Sequence, residues 1–311
     1  MIPISPYPPV PATYSDPNVT ASRFLQNPQF VARRIQTLAD LRYIGTSLLT
    51  GRMDTNGGAV GYEVAGESAF ADAAPEAVAP GAEYKLVTTG DGTAALAKVT
   101  KWGQDALVTD EAIRRRNMDP VSKSLSKLVN SSAVAVDSAV LTVVASGITA
   151  TRAAAAVWTG SSAKVLQDVL RAVASIRGAN LGYEPNVLLV DDSVWAYMAS
   201  DVVIANAMAR EATTNPIYTG RFEVLAGLQV IHAPTANIPG GVGTVAYVFD
   251  SNQLGFIATE NLGGGYQSAG DLIESKVMRQ EENDAWRIRA RANFVPVVTD
   301  PSAGYKITGV A

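Results

Sequence analysis

Residues 57–97 and the helix signal that follows them constrain this chain more than anything else in it. The stretch is flat, acidic and rich in Ala, Gly and Pro. It sets Glu63, Glu67, Asp72, Glu76, Glu83 and Asp91 against the single Lys85, a net of −5. Its middle, SAFADAAPEAVAPGA, has too little bulk for a core. GGAVGYEV and YKLVTT predict the two strands of a long hairpin, and a loop of this length inside a compact domain is usually functional. The other reading, a disordered linker, is opposed by the strand-like runs at both ends. From about Asp119 to Val144 runs the longest helix signal. Asp119-Pro120 supplies an N-cap and a first-turn proline. Val121, Leu125, Leu128, Ser132, Ala135, Ala139 and Val143 recur at steps of three and four. A helix over 119–145 spans about 40 Å. Small residues in its second half let a sheet approach closely, and Gly147 ends it. A thin arm beside a long straight helix suits a building block that reaches over its neighbours. It does not suit an enzyme that encloses a substrate.

Composition removes several function classes. Of the 311 residues, 47% are apolar and 17% charged, which is a globular balance with ample core. The net charge of −4 argues against a dedicated nucleic-acid binder. No apolar run near 18 residues is evident, so no membrane span is expected. The opening MIPISPYPPVPATY has neither a basic n-region nor an apolar h-region, so a secretory signal is not expected. There is no cysteine and one histidine, His232. That leaves no disulfide framework, Cys/His zinc site, thiol nucleophile or iron–sulfur cluster. His232, in LQVIHAPTANIP, reads as a strand-end or loop histidine.

Residues 1–28 hold seven of the sixteen prolines. Such density predicts an extended, polyproline-like arm without helix. Asn27-Pro28 opens a helix to about Asp40 with Phe30, Ile35 and Leu38 as its stripe, and 43–53 reads as a strand. ALAKVTKWGQDALVT is strand-like, and Glu111–Met118, with Arg114, Arg115 and Arg116, is a short basic helix or turn. Ser161-Ser162 caps a helix to about Ile176, striped by Val165, Leu166, Val169, Leu170 and Val173. Glu184–Val190 is a buried strand, and Asp191 or Asp192 caps a helix carrying Trp195 and Met198. A helix through VVIANAMAR follows, then strands in FEVLAGLQVIHAP, GTVAYVFD and QLGFIATE and a turn at Gly263–Gly265. The stretch 271–298 is extended. Its second half alternates Trp286, Ile288, Ala290 and Ala292 with Arg287, Arg289, Arg291 and Asn293, one buried and one basic face.

Catalytic motifs are not evident. GDGTAAL at 90–96 lacks the lysine and hydroxyl of a phosphate loop, and NLGGGYQSAG at 261–270 lacks the helix that would hold a phosphate. Asp191-Asp192 is better explained by capping and solvent than by a metal. Arg114–Arg116 suits either a solvated helix end or contact with nucleic acid or an acidic partner. No enzyme activity, cofactor or metal is expected.

Over roughly 27–309 the order of elements resembles that of tailed-bacteriophage major capsid proteins, the Hong Kong 97 phage fold. YEVAGESAFADAAPEAV is similar to the start of the family's extension loop. KVTKWGQDALVTDEAIRRRNMDPVSKSLSKLVNSSAVAVDSAVL resembles its strand and spine helix, with Asp137, Ala139 and Leu141 near the helix end. LAGLQVIHAP and WRIRARANFVPVVTDPSAGYKITG resemble its later strands. The resemblance implies an α+β fold. It places the N-terminal arm and first helix at 1–45 and the extension loop at 46–100, with the hairpin 57–97. The peripheral domain is expected at 101–155 and 270–298, with the spine helix at 119–145, and the axial domain at 156–269 and 299–311. It also implies contacts between subunits, for which Tyr62, Glu63, Glu67, Phe70, Tyr84, Lys85 and Leu86 are the loop candidates. Arg114, Arg115, Arg116, Arg287, Arg289 and Arg291 are the basic candidates. Some relatives join subunits by a Lys–Asn isopeptide bond; Lys85 is the only lysine in the loop, and Asn283 and Asn293 are the candidate partners.

The function implied is a major capsid protein that self-assembles through pentamers and hexamers into an icosahedral shell around phage DNA, in a virion assembled in the host bacterial cytoplasm. It would enclose DNA without sequence-specific binding and contact no membrane. The chain has no room for a scaffolding domain of about a hundred residues, so separate scaffolding, portal and decoration proteins are the expected partners. An encapsulin-like bacterial compartment shell is the alternative in the same fold. A soluble α/β enzyme, opposed by the missing motifs, and a phage tail or decoration protein are the readings from other classes.

Overall fold

The structure is a computed structural model. It describes residues 17–39, 43–65, 74–87, 92–160, 162–201, 203–204, 224–234, 244–270 and 272–311, with side chains from residue 21 onward. The chain forms two compact units. The first takes in residues up to 42, 101–133 and 262–292, and the second 43–100, 134–261 and 293–311.

The first unit opens with helices α1 (Pro17–Gln26) and α2 (Pro28–Ala39). The expectation that 1–28 excludes helix fails over α1. Pro17 stands at the first helical position, where a missing N–H costs nothing and the fixed φ favours the helix. Residues 1–16 lie outside the described residues. In α2 the buried face is Val31, Ala32, Ile35 and Ala39, while Phe30 is exposed. Strand β4 (Thr100–Thr109) leads into α4 (Asp110–Arg116), where the Thr109 hydroxyl accepts from Ala112 N–H. Acids in the first turn and three arginines in the last match the helix dipole. The stretch 271–298 is not one run but a hairpin. Strand β12 (Ile273–Gln280) turns through a 3-10 segment, with Asp284 in the left-handed region, into β13 (Ala285–Val298). Short β11 (Gln267–Ser268) pairs with β12. Directly opposed residues share a face of an antiparallel pair. Thus Ile273, Ser275, Ile288, Ala290 and Ala292 fall on one face and are buried. Glu274, Lys276, Met278, Arg287, Arg289 and Arg291 fall on the other.

The long helix α5 (Asp119–Gly147) begins in this unit with Val121, Leu125, Leu128, Val129 and Ala133 buried. Its remainder belongs to the second unit and buries Val136, Asp137, Val140, Leu141 and Val144. The expected face is correct through Leu128 and then one residue out of step. Val136, Val140, Leu141 and Val144, not Ser132, Ala135, Ala139 and Val143, carry the second half. By length and composition α5 could cross a membrane, against the expectation from the sequence, but its apolar stripe is buried within the protein.

In the second unit, α3 (Gly45–Leu48) precedes β1 (Gly51–Asp54), so the expected strand over 43–53 is half helix. Strand β2 (Ala59–Val64) pairs with β3 (Thr93–Lys98), not with YKLVTT. Val60 and Tyr62 lie opposite Ala97 and Ala95 and pack onto Ala258, Val297 and Phe256. Ala97 joins that cluster from β3, whereas Tyr84, Leu86 and Val87 are exposed, so strand propensity alone does not choose the partner of β2. Strand β1 runs parallel to β10 (Gly255–Thr259), which pairs with the end of β13.

The main core of this unit is a mixed six-stranded sheet. Its order is β5 (Thr151–Ala153), β14 (Gly304–Thr308), β9 (Val245–Phe249), β6 (Val187–Asp191), β8 (Leu228–Ala233), β7 (Val224–Leu225). Helix α6 (Val165–Gly178) lays Val165, Val169, Ala172, Val173 and Ile176 onto Leu188, Val190, Val248 and Ile307, joined by Val194 and Met198 of α7 (Asp192–Ser200). Leu170, expected in the stripe, is exposed. Lys164 rather than a serine is at the helix cap. The expected helix in VVIANAMAR lies almost wholly outside the described residues.

Candidate functional site

Helix dipole, strand alternation and hairpin closure place the candidate contact residues in three groups. The first is the hairpin β2–β3 and the segment it projects. Tyr62 is half-buried and meets Phe256 edge-on at 6.5 Å, so it anchors the hairpin to its own unit. Glu63, opposite Ala94, is exposed. Every residue of 74–87 is exposed, with Tyr84 at 82% and Leu86 at 95%. Lys85 pairs with Glu76 at 3.1 Å. Glu67 and Phe70 lie outside the described residues.

The second group is Arg114, Arg115 and Arg116 in the last turn of α4. All three are exposed, and no partner for them occurs among the described residues. Beside them lies a cleft of about 900 Å³ lined by Arg23, Asp110, Arg114, Arg279, Glu281 and Trp286. Arg279 there bonds Asp110 at 2.8 Å and Glu281 at 3.2 Å, stacks over Trp286 and is held firmly protonated by those hydrogen bonds.

The third group is Arg287, Arg289 and Arg291. The expected alternation is real, but acids of the same chain lie on the basic face. Asp105 of β4 accepts from Arg287 and, at 2.6 and 2.8 Å, from Arg289. The hydrogen bond from Arg289 is the main reason its carboxyl sits below the usual carboxylate range, outweighing burial. Arg291 is itself buried, bonding Glu274 at 2.6 Å and the Gly263 carbonyl at 2.8 Å. Asn293 is buried as well. Asp105 and Glu274 escaped sequence reasoning because only strand pairing brings them to these arginines.

His232 Nδ1 meets Asp192 at 2.6 Å and the ring lies 5.4 Å from Trp195, while the Ser193 hydroxyl donates to Asp191. Among the described residues no group of three His, Asp or Glu could hold a metal ion.

Comparison with known proteins completes the picture. No curated protein matches the chain. Several solved structures share its fold. The capsid of cyanophage P-SCSP1u aligns with TM-score 0.60 at 12% identity, covering 86% of this chain and 88% of that one. A phage-related protein from Bordetella bronchiseptica aligns with TM-score 0.58 at 16% identity over 89% and 96%. A virus-like particle from Pyrococcus furiosus aligns with TM-score 0.57 at 12% identity over 89% and 98%. A family profile described as phage capsid protein matches residues 91–307. The chain therefore belongs to the phage capsid protein family and is a structural shell protein of the tailed-phage type, not an enzyme.

Proposed function

We propose that the chain tiles an icosahedral shell of pentamers and hexamers in which residues 57–97 of each copy overlie a neighbour. The observation that supports this is the hairpin's division of labour. Its base is fixed by Val60, Tyr62, Ala97 and Val297, while Tyr84 and Leu86 of the segment it projects stand in solvent. Both are large apolar side chains left free for another surface to cover. Arg114, Arg115 and Arg116 are the first candidates to face the loop acids Glu63 and Glu83, because all three are exposed and no partner for them occurs among the described residues. Exposed pairs of this kind contribute about 0–1 kcal/mol each. The apolar anchors dominate, and the charges set register. Many such modest contacts around one subunit add through multivalency.

In this reading the unit built on residues 101–133 and 262–292 is the peripheral domain, and the six-stranded sheet belongs to the axial domain. The shell encloses DNA and is assembled in the host bacterial cytoplasm with separate scaffolding and portal proteins. Electron microscopy of the purified chain, alone and with those partners co-expressed, tests the proposal. Closed shells are expected. Monomers or small rings under every condition would refute it.

A further inference from the structure

Tyr266 is the centre of a cation cluster that shell geometry does not require. Its ring lies 3.4 Å beneath the Arg291 guanidinium and 5.5 Å from Lys276 Nζ, and its hydroxyl accepts from Arg289 at 3.4 Å. Burial works against the phenolate, yet the Arg289 hydrogen bond and the charges of Arg289, Arg291 and Lys101 pull the Tyr266 pKa below the ordinary tyrosine value. Lys101 lies on β4, the strand that pairs with β13 and carries Asp105. Arg287 joins through Asp105. Five cations thus meet two carboxylates, Asp105 and Glu274, a local surplus of +3 in a chain whose net charge is −4.

The cluster is held in place. Lys276 and Arg289 are directly opposed across β12 and β13. The glycine turn is tied to them, since Lys276 Nζ donates to the Gly264 carbonyl at 2.7 Å and Arg291 to that of Gly263. Gly263, Gly264 and Gly265 all have φ between +62° and +82°, so only glycine brings these carbonyls in without strain. Residues two apart on a strand lie roughly 6.6–6.8 Å apart, giving the cations an even spacing.

We infer that this face, centred on Tyr266 with Lys101, Lys276, Arg287 and Arg289, is a sequence-independent site for the phosphodiester backbone of double-stranded nucleic acid. A peptide partner would need apolar anchors in pockets, and the one aromatic ring of the cluster is already covered by Arg291 and Lys276. Phosphates need only an array of fixed cations, and neutralising them releases counterions. The choice of nucleic acid among polyanions rests on the shell reading; the cluster itself does not.

The test is fluorescence anisotropy of a labelled duplex of scrambled sequence with dispersed, full-length chain over a range of salt, so that failure to form shells leaves the measurement intact. Neutralising about three phosphates predicts log K falling with log salt at a slope of about −3. Lys101→Glu with Lys276→Glu should lower affinity at least tenfold and flatten the slope. The equal charge change Lys164→Glu with Arg171→Glu, at the N-cap and within α6, should do neither. Circular dichroism checks folding, and Lys101→Gln with Lys276→Gln replaces the first pair if it does not fold. Three results would overturn the assignment. One is equal loss in both pairs of variants, or none in the first. Another is displacement of the duplex by inorganic phosphate beyond that by chloride at equal ionic strength, which marks a discrete ion pocket. The third is tighter, Lys101- and Lys276-dependent binding of a peptide of residues 74–91, which assigns the face to a second copy of the chain.

Discussion

Asp137, in the second half of α5, holds Gly45 at the start of α3. Its Oδ1 accepts from Gly45 N–H at 2.7 Å and from Ile44 N–H at 3.1 Å. A Cβ on Gly45 would stand 3.0 Å from that oxygen and 3.1 Å from Val140, a tight approach that a larger residue would crowd. Burial raises the Asp137 pKa, and the two backbone hydrogen bonds only partly oppose it. Ionisation is therefore disfavoured in the fold. Stability from this group is fully present below the ordinary carboxylate pKa and declines as pH rises through the raised value. Asp137→Asn keeps an acceptor without the charge and should cost less than Asp137→Ala. The alanine leaves two N–H groups unmade, about 1–3 kcal/mol. In urea titrations, the stability of the wild type relative to Asp137→Asn should be greatest at low pH and fall toward neutrality.

Tyr43 lies beside this carboxylate with its hydroxyl buried and without a hydrogen-bond partner among the described residues. Burial and the Asp137 charge both keep it protonated. Tyr43→Phe should be neutral or stabilise by up to ~1 kcal/mol, because a buried unpaired hydroxyl has already lost its water. Thermal unfolding measures the sign.

Gly147 ends α5 as expected and is also a contact point. A Cβ there would lie 2.8 Å from two carbon atoms of Val298. Gly147→Ala should destabilise by about 1–3 kcal/mol through overpacking, even though alanine favours helix. Gly147→Ala combined with Val298→Ala should recover part of the loss, as a double-mutant cycle would show.

Asp105 has the opposite acid behaviour from Asp137. Its lowered pKa means that its contribution is present above the ordinary carboxylate value and is lost as pH falls through the folded value. Asp105→Asn should cost about 1 kcal/mol near neutrality, as expected for a partly exposed ion pair. That difference from wild type should vanish in acid, measured by urea unfolding at a series of pH values.

Tyr84→Ala and Leu86→Ala should leave the melting of the dispersed chain within about 0.5 kcal/mol, since neither side chain is covered within its own chain. Shells built from either variant should dissociate at lower denaturant than wild type. Glu83→Gln should shift dissociation less than either. Light scattering against denaturant reads this order directly.

Local signals carried much of the architecture. Proline at a first helical turn, apolar steps of three and four, and strand alternation each act within a few residues, so α2, α5, α6, β6 and β13 were legible in the chain. The motif aspartate Asp137 was visible too, although nothing local showed that it reaches back to Gly45. What only tertiary structure decided was which of several adequate partners each segment takes. YKLVTT has better strand propensity than TAALAK, but it is TAALAK that pairs with β2 and sets Ala97 in the cluster of Val60, Phe256 and Val297. The second half of α5 turned by one residue to bury Val136, Val140 and Val144, a choice made by what packs against it. The basic face of β13 looked free in sequence, and Asp105, nearly two hundred residues away, reaches it only through the pairing of β4 with β13. Periodicity is a property of neighbours along the chain, whereas volume and charge pairing depend on neighbours in space.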